Sequence, residues 1–266
     1  MKTLLTIGLL LSLNLKASTC YQTNNSLTMK CKHNIVKIEG MYAEREVLYA
    51  LPQSVRPRDG YPTVLFFQGS FYPMEFKRSK YDPFGGYNEI LIMKELLDNG
   101  FAIIAPRAGA GLFWQSNLIG LNYDLSSDKY FINQILMRAQ EKHFGSLDLN
   151  NLFAFGISSG GYMTDRMAQS HSEYNFKALA IASASYAKCG GPYCPLPNEI
   201  KREHPPTLFL HGKFDPVVPI FTMRRYQKLL QKNGIKTKVI IDPKARHQWF
   251  KSAPKEITQW FKNHLN

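Results

Sequence analysis

The 266-residue chain predicts an α/β unit built on a mostly parallel, doubly wound sheet of about eight strands flanked by helices. Three observations carry this expectation. Continuous apolar runs of strand length fall at residues 63–67, 101–105, 152–155, 177–184, 207–210 and 236–241, the profile of strands buried on both faces. Segments with helical apolar spacing lie between most of them. At the start, two alternating runs, residues 33–39 and 44–51, are separated by Gly40 and read as an antiparallel hairpin.

Each element has its local signal. Residues 57–60, Pro-Arg-Asp-Gly, make a turn into the first buried run, which ends at Gln68-Gly69-Ser70. Residues 88–98 set Ile90, Leu91, Met93, Leu96 and Leu97 at helical spacing and stop at Asn99-Gly100. Pro106 closes the run 101–105. In the helix 127–143, Ser127 is placed to cap and Phe131, Ile132, Ile135, Leu136 and Ala139 form the apolar face. A helix at 162–168 follows the run 152–155. The last two helices are 219–233, with a Gly234 stop, and 254–264. With no repeat, low-complexity tract or Ser/Thr-rich linker, residues 18–266 read as one catalytic domain without a separate binding domain.

The N-terminus differs in kind. Met1-Lys2 is a short positive start, residues 3–15 are apolar but too short to span a bilayer comfortably, and Ala17 offers a small residue for cleavage. Residues 1–17 therefore read as a secretory signal peptide, and the expected location is outside the cytoplasm, with no transmembrane segment. A lipidated Cys20 is the poorer option, since Thr19 is large for the preceding position. Export makes the four cysteines legible as disulfides. Four allow three pairings; the two local ones, Cys20 with Cys31 and Cys189 with Cys194, are the simplest, and no histidine stands at a zinc-site spacing. The formal charge of +13 falls to +11 once Lys2 and Lys16 leave with the signal. The basic residues are scattered without a stripe or nucleic-acid motif, so the charge is read as favouring solubility and anionic surfaces, with no nucleic-acid partner.

The chemistry centres on Gly156-Ile157-Ser158-Ser159-Gly160, between an apolar strand and a helix. On the pentapeptide alone, an ordinary Gly/Ser turn reads the same. In a strand–turn–helix context it is a nucleophile elbow, which presents a serine hydroxyl at the sheet's edge and needs small residues where strand and helix pass closely. Two further groups follow later strands: Asp215 in His211-Gly212-Lys213-Phe214-Asp215-Pro216, and His247 in Ala245-Arg246-His247-Gln248-Trp249. A serine is a poor nucleophile unaided; an imidazole takes its proton, and a carboxylate fixes the tautomer and stabilises the imidazolium. The order Ser, Asp, His at strand ends is that of the α/β-hydrolases. Asp242, also at a strand end, is the rival acid. His211 more simply supports its loop. Donors for the oxyanion are expected from the backbone amides of Ser159, after the nucleophile, and Ser70, after the first buried strand.

From about residue 63 to the end the chain resembles the α/β-hydrolase family. Within it, Gly156-Ile157-Ser158-Ser159-Gly160-Gly161-Tyr162-Met163 and the spacings to Asp215 and His247 are similar to the extracellular medium-chain-length polyhydroxyalkanoate depolymerases, secreted bacterial serine hydrolases that cleave storage polyesters. Short-chain relatives often carry histidine where Gln68 stands. The resemblance implies an ester hydrolase with catalytic Ser158, Asp215 and His247, no cofactor, and a hydrophobic polyester or ester substrate. The aromatic loops agree: Phe71, Tyr72, Phe76, Tyr81, Phe84 and Tyr87 after one strand, Phe113, Trp114, Leu118, Ile119 and Leu121 after the next, and Trp249 and Phe250 after the histidine. Some of these rings pack the loops; Phe113, Trp114, Leu118 and Trp249 are the candidates to meet substrate. A general secreted carboxylesterase or lipase is the alternative. A silent hydrolase-fold binding protein and a peptidase of the same fold stand behind it.

Overall fold

The structure, a computed structural model, describes residues 18–23, 26–116, 122–200 and 202–266. The expected signal segment and Leu118, Ile119 and Leu121 lie outside the described residues. In chain order the elements are β1 (Cys20–Gln22), β2 (Thr28–Cys31), β3 (Asn34–Ile38), β4 (Arg45–Ala50), β5 (Tyr61–Phe67), β6 (Lys77–Ser79), α1 (Gly86–Asp98), β7 (Ala102–Pro106), α2 (Ser127–Gln140), β8 (Leu147–Ile157), α3 (Ser159–Ser170), β9 (Ala178–Ala182), β10 (Thr207–Gly212), α4 (Ile220–Lys232), β11 (Thr237–Asp242) and α5 (Ala253–Lys262).

The main sheet has eight strands in the order β11-β10-β9-β8-β5-β7-β4-β3. The hairpin β3–β4 and its junction with β7 are antiparallel, and every other pairing is parallel. The unbroken apolar runs have their reason in this arrangement. Val64 and Phe66 of β5 enter a core with α1 and α5 on one face, whereas Leu65 and Phe67 enter a core with α2 and α3 on the other. A third cluster joins Tyr162 of α3 and Phe209 of β10 to Met223, Tyr226 and Leu230 of α4. This is the α/β-hydrolase fold.

The structure corrects the sequence reading in three places. A second sheet, β1-β2-β6, was not expected, because its strands are three or four residues long and carry no sustained alternation. Disulfide Cys20–Cys31 ties its first two strands at paired positions, and Cys189–Cys194 closes a tight loop after β9, the two local pairings. The cap of α2 is Ser126, whose hydroxyl accepts from the Lys129 N–H at 3.1 Å, one residue before the expected Ser127. Finally, β8 begins at Leu147 rather than 152, since residues 147 and 148 already pair with Tyr61 and Pro62 across an irregularity.

What positions the site is the approach of β8 and α3 to β5. A Cβ on Gly156 would stand 2.4 Å from the Gly160 carbonyl oxygen; one on Gly160 would stand 2.1 Å from that of Phe67 and 2.4 Å from that of Gln68. Gly161 would meet the Ala184 methyl at 2.6 Å. These neighbours are mostly backbone of the central strands and cannot rotate away. Gly160→Ala should therefore destabilise the fold at or beyond the upper end of the ~1–3 kcal/mol typical of overpacking. Urea unfolding checks this: a midpoint equal to that of the wild type would mean that strand and helix separate without penalty.

Candidate active site

Ser158 sits between the end of β8 and the first residue of α3 with φ 55° and ψ −122°, a region L residues rarely occupy. Its N–H donates to the Ala182 carbonyl at 2.9 Å, and its carbonyl accepts from Tyr162 at 3.0 Å. The peptide is thus held on both sides while the side chain stays partly exposed. This is the strained turn that the glycines permit.

His247 follows β11 and Asp215 follows β10, and the two meet. His247 Nδ1 lies 3.0 Å from Asp215 Oδ1 and 2.9 Å from Oδ2. A carboxylate accepts, so Nδ1 carries the proton and Nε2 is left as a base, the tautomer that acyl transfer from serine requires. Asp215 is buried, and burial by itself would raise its carboxyl. The hydrogen bond from His247, the amides of Val218 and Val217 and the charge of His247 outweigh burial and hold it below its ordinary value. The sign fixes the consequence: an acid depressed in the folded state adds stability above its unfolded value and loses it as pH falls through the folded one. Asp242 is engaged otherwise. Its Oδ1 accepts from the Lys244 and Ala245 amides at 2.8 Å, and among the described residues it makes no bond to His247.

The neighbouring histidine has a different task. His211 is fully buried, which lowers its pKa, and its Nε2 donates to the Val218 carbonyl at 2.8 Å. A neutral imidazole thereby pins the loop that carries Asp215. Asp165, on α3, faces Tyr226 and the Ala187 amide and anchors the far side of the elbow helix.

Two lobes meet at Ser158. One, of about 330 Å³, is lined by Gly69, Ser70, Phe71, Tyr72, Phe84, Glu89, Ile157, Val217, His247 and Trp249; the other, of about 300 Å³, by Ser70, Phe113, Trp114, Ser159, Tyr162, Gly191, Val217 and Val218. Both expected oxyanion donors border the cleft. Ser159 opens α3, where first-turn N–H groups lack helical acceptors. The Ser159 hydroxyl is occupied, accepting from the Trp114 N–H at 2.9 Å. Among the described residues Ser158 makes no hydrogen bond to His247, although both line the first lobe. Such bonds commonly tighten only around substrate.

The expected substrate contacts differ in exposure. Trp114 is wholly buried: its indole packs edge-on to Phe67 and donates to the Gln68 carbonyl at 3.2 Å, so it holds the loop to the sheet and reaches the second lobe only as part of its wall. Trp249 is also buried at 1 % exposure and reaches the first lobe only as part of its wall. Phe113 remains at the mouth, beside Phe71 at a ring distance of 6.3 Å. Phe71, Phe84 and Val217 are more than half exposed on the same rim.

Sequence reasoning missed the polar residues behind the site. Gln68 is buried, accepts from the Met74 and Ala108 amides and donates to the Gly111 carbonyl, so one side chain staples the two aromatic loops together. Glu89 is buried at the lobe's base, bonded to Arg78 and to the Trp249 indole. Burial raises its carboxyl despite those partners. Helical spacing could have flagged it, because Glu89 shares the inward stripe of Met93, Leu96 and Leu97.

The geometry agrees with known proteins. The model of the prolyl oligopeptidase family matches residues 191–266, a stretch that includes Asp215 and His247 but not Ser158. Acylaminoacyl peptidase from Pyrococcus horikoshii superposes at a TM-score of 0.63 over 88 % of this chain, with 16 % identity; the chain spans 42 % of that protein. A candidate dienelactone hydrolase from Klebsiella pneumoniae superposes at 0.59 with 17 % identity, covering 87 % of this chain and 98 % of that one. These likenesses concern the fold. In sequence, the chain is 42 % identical over 258 residues to a poly(3-hydroxyoctanoate) depolymerase from Pseudomonas fluorescens, covering 94 % of this chain and 92 % of that protein. A likeness of that extent places the chain, which belongs to the family of the Pseudomonas fluorescens poly(3-hydroxyoctanoate) depolymerase.

Proposed function

We propose that this chain is a secreted serine hydrolase that cleaves ester bonds of medium-chain-length polyhydroxyalkanoates through an acyl-enzyme on Ser158, with residues 18–266 as its catalytic domain. The observation that supports it best is the Asp215–His247 pair facing Ser158 where two largely apolar lobes meet. Ser158 Oγ attacks the ester carbonyl as His247 Nε2 takes its proton. The amides of Ser70 and Ser159 receive the oxyanion. His247 returns the proton to the departing hydroxyl, and a water molecule, activated the same way, frees the acyl group. The relative's name supports the substrate class, and the apolar rim suits alkyl side chains better than sugars or peptides. The two disulfides fit an oxidising compartment.

Clearing of poly(3-hydroxyoctanoate) and poly(3-hydroxybutyrate) latices by the purified protein, beside p-nitrophenyl esters and anilides, tests the reading. Clearing of the first polymer is expected. Turnover of small esters alone would favour a general carboxylesterase, and preference for anilides a peptidase. Ser158→Ala should lower kcat on the order of 10⁴–10⁶-fold with the fold intact. Asp215→Asn should cost less but still orders of magnitude, and Asp242→Asn little; the reverse order would move the acid to Asp242.

The rim offers an apolar surface for adsorption to a granule. Each large side chain buried there would contribute at most roughly 1.5–3 kcal/mol, less what it already buries in the free protein. Phe71→Ser with Phe113→Ser should weaken binding to medium-chain latex and slow clearing, while hydrolysis of a short soluble ester stays within a few-fold. Equal losses on both substrates would make these rings part of the acyl site instead.

A further inference from the structure

An ion pair sits where an apolar pocket would be simplest to build without one. Glu89 and Arg78 are 1 % and 4 % exposed, and Glu89 lines the same lobe as Ser158 and His247. Oε1 of Glu89 accepts from Arg78 Nε at 3.0 Å and Nη2 at 2.8 Å; Oε2 accepts from the Trp249 indole at 3.1 Å. Buried pairs of this kind are weak evidence for stability, since apolar residues of like volume often serve as well. Their use is better sought in what they hold in place.

What this one holds is Trp249. Its N–H donates to the Phe84 carbonyl at 2.9 Å, and its carbonyl accepts from Asn88 at 3.2 Å. A Cβ on Gly85, whose φ is +70°, would stand 2.1 Å from that same carbonyl. The start of α1 thus grips the backbone of Trp249, and Glu89 fixes its ring, which lies 6.0 Å from Phe155. Trp249 stands two residues beyond His247 and walls the lobe beside it. Arg78 in turn comes from β6, paired to β2 of the small disulfide-tied sheet, and its guanidinium also donates to the Pro73 carbonyl and covers Tyr72. The small sheet is therefore connected to the histidine turn through two side chains.

We propose that Glu89, seated by Arg78, is a positioning residue: by fixing the Trp249 indole it sets both the placement of His247 and the shape of the lobe that receives the apolar chain of the substrate. This rests on the serine-hydrolase reading above. If Glu89 acts through the indole N–H, removing donor and removing acceptor must give the same phenotype, and doing both must cost no more than either.

The test uses the full oxidised chain and its Trp249→Phe, Glu89→Leu and double variants, the leucine leaving no acceptor for the indole. Alkyl fluorophosphonates of graded alkyl length label an activated serine, and mass spectrometry follows Ser158. Both single variants should label about 10- to 100-fold more slowly, with the same altered order of alkyl preference, and the double variant should match them. Folded single variants that label at the wild-type rate in the wild-type order would overturn the proposal, as would multiplicative losses in the double variant. A role in stability alone would lower the melting temperature and leave the order of preference untouched. If Glu89→Leu fails to fold with the Arg78–Glu89 pair gone, Trp249→Phe decides. Turnover of p-nitrophenyl esters by the wild type is read alongside: a protein that labels but cleaves no ester defeats the ester reading while this test remains readable. A wild type that does not label overturns both.

Discussion

The site depends on one close approach. The carbonyls of Phe67 and Gln68, at the end of the central strand β5, lie where a side chain on Gly160 would have to go. Because glycine stands there, α3 starts directly against the sheet, and the peptide before it is bent into the positive-φ conformation seen at Ser158. Strain at that residue persists because parallel strands on both sides over-determine it: β8 is paired along β5 and β9, and the Ser158 N–H is fixed to Ala182. A serine on a flexible loop would have to be ordered before it could react; at Ser158 the ordering is done by folding.

Around this point, buried polar side chains act as fasteners between loops. Gln68 joins the segment after β5 to the segment after β7, and Arg45 and Asp128 hold the latter from beneath, with Asp128 accepting from the Gln115 amide at 2.6 Å. Arg166, on α3, donates to the Ser116 carbonyl. Each group is satisfied by partners from different parts of the chain, which is the condition under which burying polarity does not destabilise. The aromatic residues of these loops divide between core and rim. Trp114 and Trp249 are buried with their N–H groups on a carbonyl and a carboxylate, and Phe76 and Phe250 are buried in the apolar core. Phe71, Phe84 and Phe113 remain at the rim.

Histidine and aspartate show the same division by surroundings. His211 and His247 both lie within reach of Asp215, at 3.5 and 2.9 Å. His211 is sealed in, faces a carbonyl and is kept neutral as a structural strut; His247 is partly open to the cleft. Identical side chains on one carboxylate thus carry different tasks, and exposure separates them.

The sequence alone determined the main sheet's architecture and marked the candidate reacting groups. Six strands of the main sheet were legible as continuous apolar runs and the edge hairpin β3–β4 as two alternating runs, and Gly156-Ile157-Ser158-Ser159-Gly160 was legible because the elbow's sterics demand glycine at fixed positions. Asp215 and His247 could be picked out by standing after strands, since the loops at those ends of a parallel sheet face one cleft. Only the tertiary structure decided which of Asp215 and Asp242 meets His247, because both follow strands and the difference is one of direction: one carboxylate turns to His247, the other to its own turn amides. It also decided which aromatic residues face outward, and it brought Arg78 and Glu89 together beneath the cleft. Those outcomes depend on where a side chain's polar atom finds a partner distant in the chain, and such a partner leaves no periodic mark on the residues near it.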